Sequence, residues 1–310
     1  MLRLKTESLR RPPEEVCRFL AMDLVAETLQ AARRMSRDDD PEALHDFRVG
    51  LRRLRSLARA YRVYLKDSIS GKLASRLKKA ARLTSKARDA EVHLAWIRSK
   101  SSRVRKGEWA GVRWVSERLE PRSGGAAAGG VKDWAKSFKR LAEVLQKRLS
   151  SYRVRVRRGR PAPTLEFKTA AASLLLEHCR DLRGRVAAIS RGHREALHDA
   201  RISAKRLRYL LEPLVCLLEG GEGVLERMRA LQDLLGEIND LQALEPILRA
   251  DRAAAKKELP AAVPGICRLL RLTSIERVSL RRRISTRWLH GKAEALLEAI
   301  ERHAEVLSHS

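Results

Sequence analysis

One segment of this sequence occurs twice, and this repeat constrains the fold more than any other feature. The first copy, ALHDFRVGLRRLRSLARAY, covers residues 43–61, and the second, ALHDARISAKRLRYLLEPL, starts at residue 196. Both copies open with the same four residues and then keep arginine or lysine at matching positions. Such order exceeds what compositional bias produces, so the chain is predicted to be an internal duplication.

The similarity continues beyond these copies. The stretch LTSKARDAEV around Asp89 corresponds to LLGEINDLQA around Asp240, so a second helix is predicted to be duplicated. Between the halves, SSYRVRVRRGRPAPT contains glycine and prolines and loses helical periodicity, which is typical of a connector. We therefore expect a single domain over residues 1–310 made of two helical repeats, an N-terminal bundle over 1–160 and a C-terminal bundle over 161–310.

Apolar residues recur with the 3.6-residue period of an α-helix along most of the chain. Helices are predicted over residues 13–35, 41–66, 71–100, 131–151, 164–189, 195–218, 222–257 and 269–306, with a candidate break near Gly236. The segment PRSGGAAAGG at 121–130 is predicted to be a flexible loop. No segment has a convincing strand pattern. The predicted fold is therefore all-α, with a bundle of about four helices in each half.

The repeated helix has an apolar face and a cationic face. The apolar stripe that is predicted to enter the core consists of Leu44, Phe47, Leu51, Leu54, Ala58, Tyr61 and Leu65. One residue later, about 100° around the helix, lies a row of cations. The rows are His45, Arg48, Arg52, Arg55, Arg59 and Arg62 in the first copy and His198, Arg201, Lys205 and Arg208 in the second. The flanking cations are Arg53 and Arg206 beside the rows and Lys78, Lys79, Arg82 and Arg229 on the following helices.

This pattern suits an extended polyanion. Row residues seven positions apart are separated by roughly 10 Å, a ladder that fits a chain of phosphates better than a single phosphate. Arginine keeps its charge and donates two parallel hydrogen bonds to phosphate oxygens, whereas lysine supplies a mobile point charge. If the repeated helices face each other about a pseudo-twofold axis, both rows line one cleft.

The charge of the whole chain indicates the same class of partner. The sequence has 66 Lys+Arg against 38 Asp+Glu, a formal net charge of +28 and a pI near 11.0, so a polyanion is expected to bind. No stretch reaches the roughly 20 apolar residues that span a bilayer, so a soluble cytoplasmic protein without a membrane partner is expected. Charged rows are often merely solvated helix faces, but Asp46 is the only acidic residue between His45 and Lys66, so the arginines lack compensation within their own helix.

Repeated histidines also suggest a metal site. No set of further ligands accompanies His45 or His198, so neither a metal nor a cofactor is predicted. A histidine at the start of a basic row is expected to donate to phosphate, and ordering of the helix end is the alternative. The duplicated Asp89 and Asp240 either fix arginines of the rows or cap helix N-termini, and the sequence leaves both roles open.

These motifs resemble those of the CHAD family, the conserved histidine α-helical domain, over nearly the whole chain. The residues that match its two motifs are His45, Arg48, Arg52, Arg53 and Arg55, and then His198, Arg201, Lys205, Arg206, Arg208 and Tyr209. The pairs Arg88-Asp89 and Asn239-Asp240 match the family's next helix. The resemblance implies two four-helix bundles related by pseudo-twofold symmetry, a basic central cleft, and binding of inorganic polyphosphate, in some members at polyphosphate granules.

Two other functions are compatible with the charge. Nucleic acid is the second choice of partner because phosphate contacts dominate its binding too, but no base-reading motif and no interleaved aromatic residues are present. A polyphosphate-processing enzyme with His45 or His198 as nucleophile ranks third, because no carboxylate metal site or glycine-rich phosphate loop is visible. The chain is therefore expected to be a binding module, and no catalytic residue is assigned.

Overall fold

The computed structural model describes residues 4–35, 40, 42–121, 127–151, 165–190 and 195–309. For residues 83–88, 127–133 and 190 it describes only the backbone. The predicted domain boundary near Arg160 and part of the glycine-rich segment, residues 122–126, lie outside the described residues. The described residues form helices and turns with no strand, which confirms the all-α prediction.

The α-helices follow the predicted order, with several changes in their bounds. They are α1 (Pro13–Arg34), α2 (Ala43–Ala60), α3 (Arg62–Leu65), α4 (Gly71–Ser99), α5 (Trp109–Glu120), α6 (Ala127–Ser150), α7 (Phe167–Ser190), α8 (Ala196–Leu211), α9 (Gly221–Glu258), α10 (Val263–Ile284) and α11 (Ala293–His309). Single turns of 3-10 helix lie at Thr6–Arg10, Ser101–Arg103, Lys106–Glu108, Val215–Leu217 and Pro260–Ala262. A π-helical segment, Ser285–Lys292, connects α10 to α11.

Three of the predicted bounds are wrong for local reasons. The helix predicted over 41–66 is divided at Tyr61, whose backbone leaves the helical region with φ −97° and ψ 31°. The helix predicted over 269–306 is divided at Gly291, whose φ of 105° is open to glycine but costly for other residues. The candidate break near Gly236 is absent, because α9 continues through that residue.

Two further differences concern the middle of the chain. Helix α5 was not predicted, although its buried residues Val112, Val115 and Leu119 follow helical spacing. Helix α6 begins at Ala127, so the last residues of the predicted flexible loop are helical.

The first compact unit consists of Met1–Arg82, Val131–Ala230 and Ala293–Ser310. In it α1 packs against α2, α2 against α8, and α7 against both α8 and α11. Its core is largely aliphatic, with two aromatic contacts: Phe47 meets Phe138 edge to face at 5.2 Å between ring centroids, and Tyr61 lies 5.8 Å from Phe167. This unit contains both copies of the repeated helix.

The second compact unit consists of Leu83–Gly130 and Leu231–Lys292. Here α5 crosses α10 at two glycines, with no room for side chains between the backbones. A Cβ atom on Gly265 would lie 1.9 Å from the carbonyl oxygen of Glu108, and one on Gly111 would lie 2.2 Å from that of Ala262. The buried side chains around this crossing are Leu94, Ile97, Val112, Val115, Leu119, Leu244, Leu248, Ile266 and Leu269.

The compact units are defined by contacts in space, whereas the bundles over 1–160 and 161–310 follow from the repeat along the chain and stay a prediction. Each unit takes residues from both sides of the predicted connector. The physical reason is the length of α4 and α9, which each contribute residues to both units.

Candidate functional site

Helix α2 presents its apolar face to the core and leaves the row of cations at the edge of that face. Phe47, Leu51 and Leu54 are at most 1% exposed. The exposed members of the first row are His45, Arg52, Arg59 and Arg62, and Arg48, Arg53 and Arg55 are partly buried. The predicted division of this helix into a buried face and a cationic edge is therefore present.

Helix α8 repeats this division. Ala200, Ala204 and Leu207 are fully buried. His198 is exposed, and Arg201, Lys205, Arg206 and Arg208 are partly buried. Because α2 and α8 pack against each other in the first unit, neighbouring helices carry the two rows.

The two rows meet at Lys205. The guanidinium groups that repel its ammonium group are those of Arg52 and Arg55 on α2 and Arg201 and Arg208 on α8. Burial, followed by this repulsion, lowers the pKa of Lys205 from 10.5 to about 7. We call Arg52, Arg55, Arg201 and Lys205 the cationic cluster. The like charges of the two helices repel one another, and a bound anion would reduce this repulsion.

Other cations extend the cluster. Burial lowers the pKa of Arg206, and repulsion by Arg59 of the opposite row lowers it further. The pKa of Arg55 is also lowered, first by burial and then by Arg59 and Arg82. Arg59, Arg82 and Arg206 therefore act electrostatically on each other or on the cluster.

Two predicted binding arginines instead point to a shared internal carboxylate. The Nε atoms of Arg53 and Arg208 each lie 3.4 Å from an oxygen of Glu212, whose side chain is 5% exposed. The guanidinium group of Arg208 also lies 4.7 Å from the ring centroid of Tyr209. Arg53 and Arg208 thus connect α2 and α8 through Glu212, a residue that the sequence analysis did not single out.

The resemblance places Tyr209 in the second binding motif, and a direct contact of Tyr209 with ligand stays a prediction. Tyr209 is 5% exposed and belongs to the core of the first unit. Its ring faces the guanidinium group of Arg208, a favourable cation–π contact. Tyr209 therefore supports a cation of the row.

The aspartates that follow the two row histidines make equivalent ion pairs. Arg34 Nη1 donates to Asp46 Oδ2 at 2.6 Å, and Arg185 Nη1 donates to Asp199 Oδ2 at 2.8 Å. In each case the arginine belongs to the preceding long helix, α1 or α7, which packs against the row helix. These pairs fix the start of each row helix, where the exposed histidines lie.

The remaining predicted cations lie on α4 and α9. Lys78, Lys79 and Arg229 are exposed. Among the described contacts, none joins these three side chains to the cationic cluster. Their part in binding stays a prediction.

Asp89 and Asp240 belong to the second unit. Both lie inside helices, α4 and α9, so the alternative that they cap helix N-termini is wrong. Their negative charges act on His93, which is 4% exposed and whose pKa is lowered because burial outweighs them. The side chain of Arg88 lies outside the described residues, and the proposed link from these aspartates to the rows stays a prediction.

The described side chains supply anion-binding groups at this site. The cationic cluster offers N–H donors and positive charge, which suit phosphate oxygens. Within the described ranges, no group of three or more His, Cys, Asp or Glu is placed to hold a metal ion. A search of the same residues finds no helix with the length and apolar character needed to cross a membrane.

Comparison with known proteins identifies the family. The crystal structure of the CHAD domain from the plant Ricinus communis matches with a TM-score of 0.61 and 20% sequence identity, covering 98% of this chain and 94% of that chain. At this identity the match shows a shared fold. No curated protein matches the sequence. The family model of the CHAD domain matches residues 20–249, which include both copies of the repeated helix, and the chain therefore belongs to the CHAD domain family.

Proposed function

We propose that this protein binds inorganic polyphosphate at the cationic cluster. The observation that carries the proposal is the position of Lys205, where cations of both row helices act on one ammonium group. Each additional cation is unfavourable in the free protein, so the cluster is a costly arrangement unless an anion neutralises it. A polyanion with closely spaced charges compensates several of these groups at once.

We propose that the predicted binding residues have two different roles. We infer that the residues that contact phosphate are His45, Arg48, Arg52, Arg55, Arg59, Arg82, His198, Arg201, Lys205 and Arg206. Arg53, Arg208 and Tyr209 hold the row helices in place through contacts with Glu212 and with one another. Lys78, Lys79 and Arg229 would extend the path of a long chain across α4 and α9.

Polyphosphate is favoured over nucleic acid by the composition of the cluster. Proteins that bind single strands without sequence preference usually stack bases on aromatic side chains. The contributors to the cluster are arginine and lysine, and the one aromatic residue among the predicted binding set, Tyr209, is buried. As a CHAD domain, the protein is proposed to act as a binding module, without catalysis, in the cytoplasm and at polyphosphate granules.

Calorimetry with matched variants tests the proposal. The variant R48A/R52A/R201A/K205A removes cations from both rows, and K136A/K139A/R140A/K147A removes the same number of exposed cations from α6. The row variant is expected to lose at least about tenfold in affinity for polyphosphate, with a smaller salt dependence, because fewer condensed counterions are released. The α6 variant should lose much less.

Two results would count against the proposal. Equal losses in the row variant and the α6 variant would indicate diffuse attraction to a basic surface. Displacement of polyphosphate by duplex DNA at equal phosphate concentration would indicate that nucleic acid is the preferred ligand. Unchanged chain length of the polyphosphate after incubation with Mg²⁺ is the result expected of a binding module.

A further inference from the structure

Lys205 differs from the other cations of the cluster in being able to lose its charge near neutral pH. An arginine stays protonated in proteins, whereas a partly buried lysine can give up its proton. Lys205 is partly buried on α8, one residue after the fully buried Ala204. It is therefore the member of the cluster whose charge depends on its surroundings.

The groups around Lys205 are dominated by positive charge. On its own helix these are Arg201 and Arg208, one turn before and one turn after it, and on α2 they are Arg52 and Arg55. The carboxylate that the two row helices share, that of Glu212, is engaged with Arg208 and with Arg53.

Helix α7 also packs against α8, and its charged groups face a different side chain. His178, Asp181 and Arg185 interact with Arg206. From α4, Arg82 acts on Arg55 and adds to the positive charge near the cluster. Among the described residues, the interactions that set the charge of Lys205 therefore contain no carboxylate.

We propose that Lys205 takes up a proton when polyphosphate binds, so that binding at the cationic cluster is coupled to protonation of this one side chain. The inference rests on the proposed function. In the free protein Lys205 is partly buried on α8, which packs against α2, and the guanidinium groups of both rows disfavour its ammonium form, so its pKa is lowered to about 7.

Binding reverses this balance. Phosphate oxygens neutralise the field of the neighbouring arginines and bring negative charge close to Nζ of Lys205, which favours the ammonium form. The proton comes from the solvent or buffer, and no covalent bond to phosphorus forms or breaks. The complex then holds one positive charge more than the free protein.

This coupling favours ligands with a high density of phosphates. A single phosphate neutralises only part of the arginine field, so Lys205 gains little charge. A chain that spans both rows removes the repulsion from Arg52 and Arg55 as well as from Arg201, and the ammonium form contributes an additional contact. Affinity should consequently fall with rising pH above neutrality, by up to about tenfold per pH unit if one proton is taken up.

The test is calorimetric titration of the full chain with long-chain polyphosphate at about pH 8, in buffers that differ in ionisation enthalpy. The dependence of the observed heat on that enthalpy gives the number of protons taken up. The wild type is expected to take up close to one proton. K205R keeps a positive charge at this position and should take up almost none, because arginine is already charged in the free protein.

K205R also identifies the source of the proton, since it leaves the exposed His45 and His198 unchanged. The inference is overturned if the wild type binds without proton uptake, or if K205R takes up as many protons as the wild type. Absence of polyphosphate binding by the wild type would overturn the proposed function as well, so the two failures are distinct. As a second readout, affinity should decline between about pH 7 and 9 in the wild type and stay level in K205R.

Discussion

Arg53 of α2 and Arg208 of α8 share one carboxylate, with both Nε atoms 3.4 Å from the oxygens of Glu212. The two arginines come from different copies of the repeated helix. Their common partner is buried, so these cations of the repeat serve to join the helices. We therefore leave these two repeated cations out of the proposed anion-binding set.

Removal of Glu212 is expected to destabilise the fold. E212A leaves two partly buried guanidinium groups uncompensated, and the free energy of unfolding should fall by about 3 kcal/mol. Urea unfolding measures this loss. E219A, at an exposed glutamate just beyond it in the chain, is the control and should change stability by less than about 0.5 kcal/mol. Equal stability of the two variants would show that the shared carboxylate contributes nothing.

Neighbouring arginines on α2 should have different roles. R52A removes an exposed member of the cationic cluster and should weaken polyphosphate binding by about tenfold, reducing the salt slope by about one unit, with little change in stability. R53A should mainly reduce stability, because Arg53 pairs with Glu212. Calorimetry and thermal unfolding of both variants separate these effects. A loss of affinity in R53A as large as in R52A, at unchanged stability, would contradict the assignment.

The crossing of α5 and α10 should not tolerate a side chain at Gly265. In G265A the new methyl group would overlap the carbonyl oxygen of Glu108, which belongs to the backbone and cannot rotate away. A loss of about 2 kcal/mol or more is expected in urea unfolding. G236A in α9 is the matched control: nothing lies within 4 Å of its Cβ position, so it should be stabilised by about 0.5–1 kcal/mol. A G265A protein as stable as wild type would refute the close packing.

The stability of the free protein should rise with pH above neutrality because of Lys205. Its pKa is about 7 in the folded protein and 10.5 ordinarily, so the unfolded chain binds more protons between these values and the free energy of unfolding increases with pH. K205M should be more stable than wild type at about pH 7 and lack this increase. Urea unfolding at a series of pH values provides the measurement.

Other titratable groups change the stability outside the pH interval in which Lys205 acts, or oppose the effect of Lys205 at the upper end of that interval. Full or partial burial lowers the pKa of His93, His178 and His303 from 6.5, so these histidines change the stability mainly at acidic pH. Burial raises the pKa of the Cys17 and Cys179 thiols above 9, so stability contributed by these groups is lost at higher pH. The comparison of wild type with K205M is therefore sharpest between about pH 7 and 9. Parallel pH profiles for the two proteins would contradict the prediction.

Sequence periodicity predicted the faces of α2 correctly because burial of Phe47, Leu51 and Leu54 follows directly from their spacing along one helix. Only one of the two ion pairs of Glu212 could be predicted from the sequence. Arg208 precedes it by four residues, a spacing typical of helical ion pairs, whereas Arg53 meets it only through the packing of α2 on α8. Contacts between distant segments depend on tertiary packing, which periodicity does not specify.

The same reasoning explains the errors. Gly291 sits where a glycine would end a helix, but the apolar pattern continues on both sides and conceals the division. Gly236 was treated as a break because glycine has low helix propensity, yet packing of the long helix α9 overrides a cost of about 1 kcal/mol. The compact units could not be predicted from the repeat, since the repeat marks similarity along the chain and the units are defined by contacts in space.

The discontinuous composition of the first unit has a consequence for biosynthesis. Helix α11, which packs against α7, follows all residues of the second unit in the chain and is translated after them. The face of α7 that α11 covers in the folded protein therefore stays uncovered until the second unit has been translated. Nascent chains of this protein are expected to need chaperone protection during that interval, and the helices that carry the rows should acquire their final stability only after translation of α11.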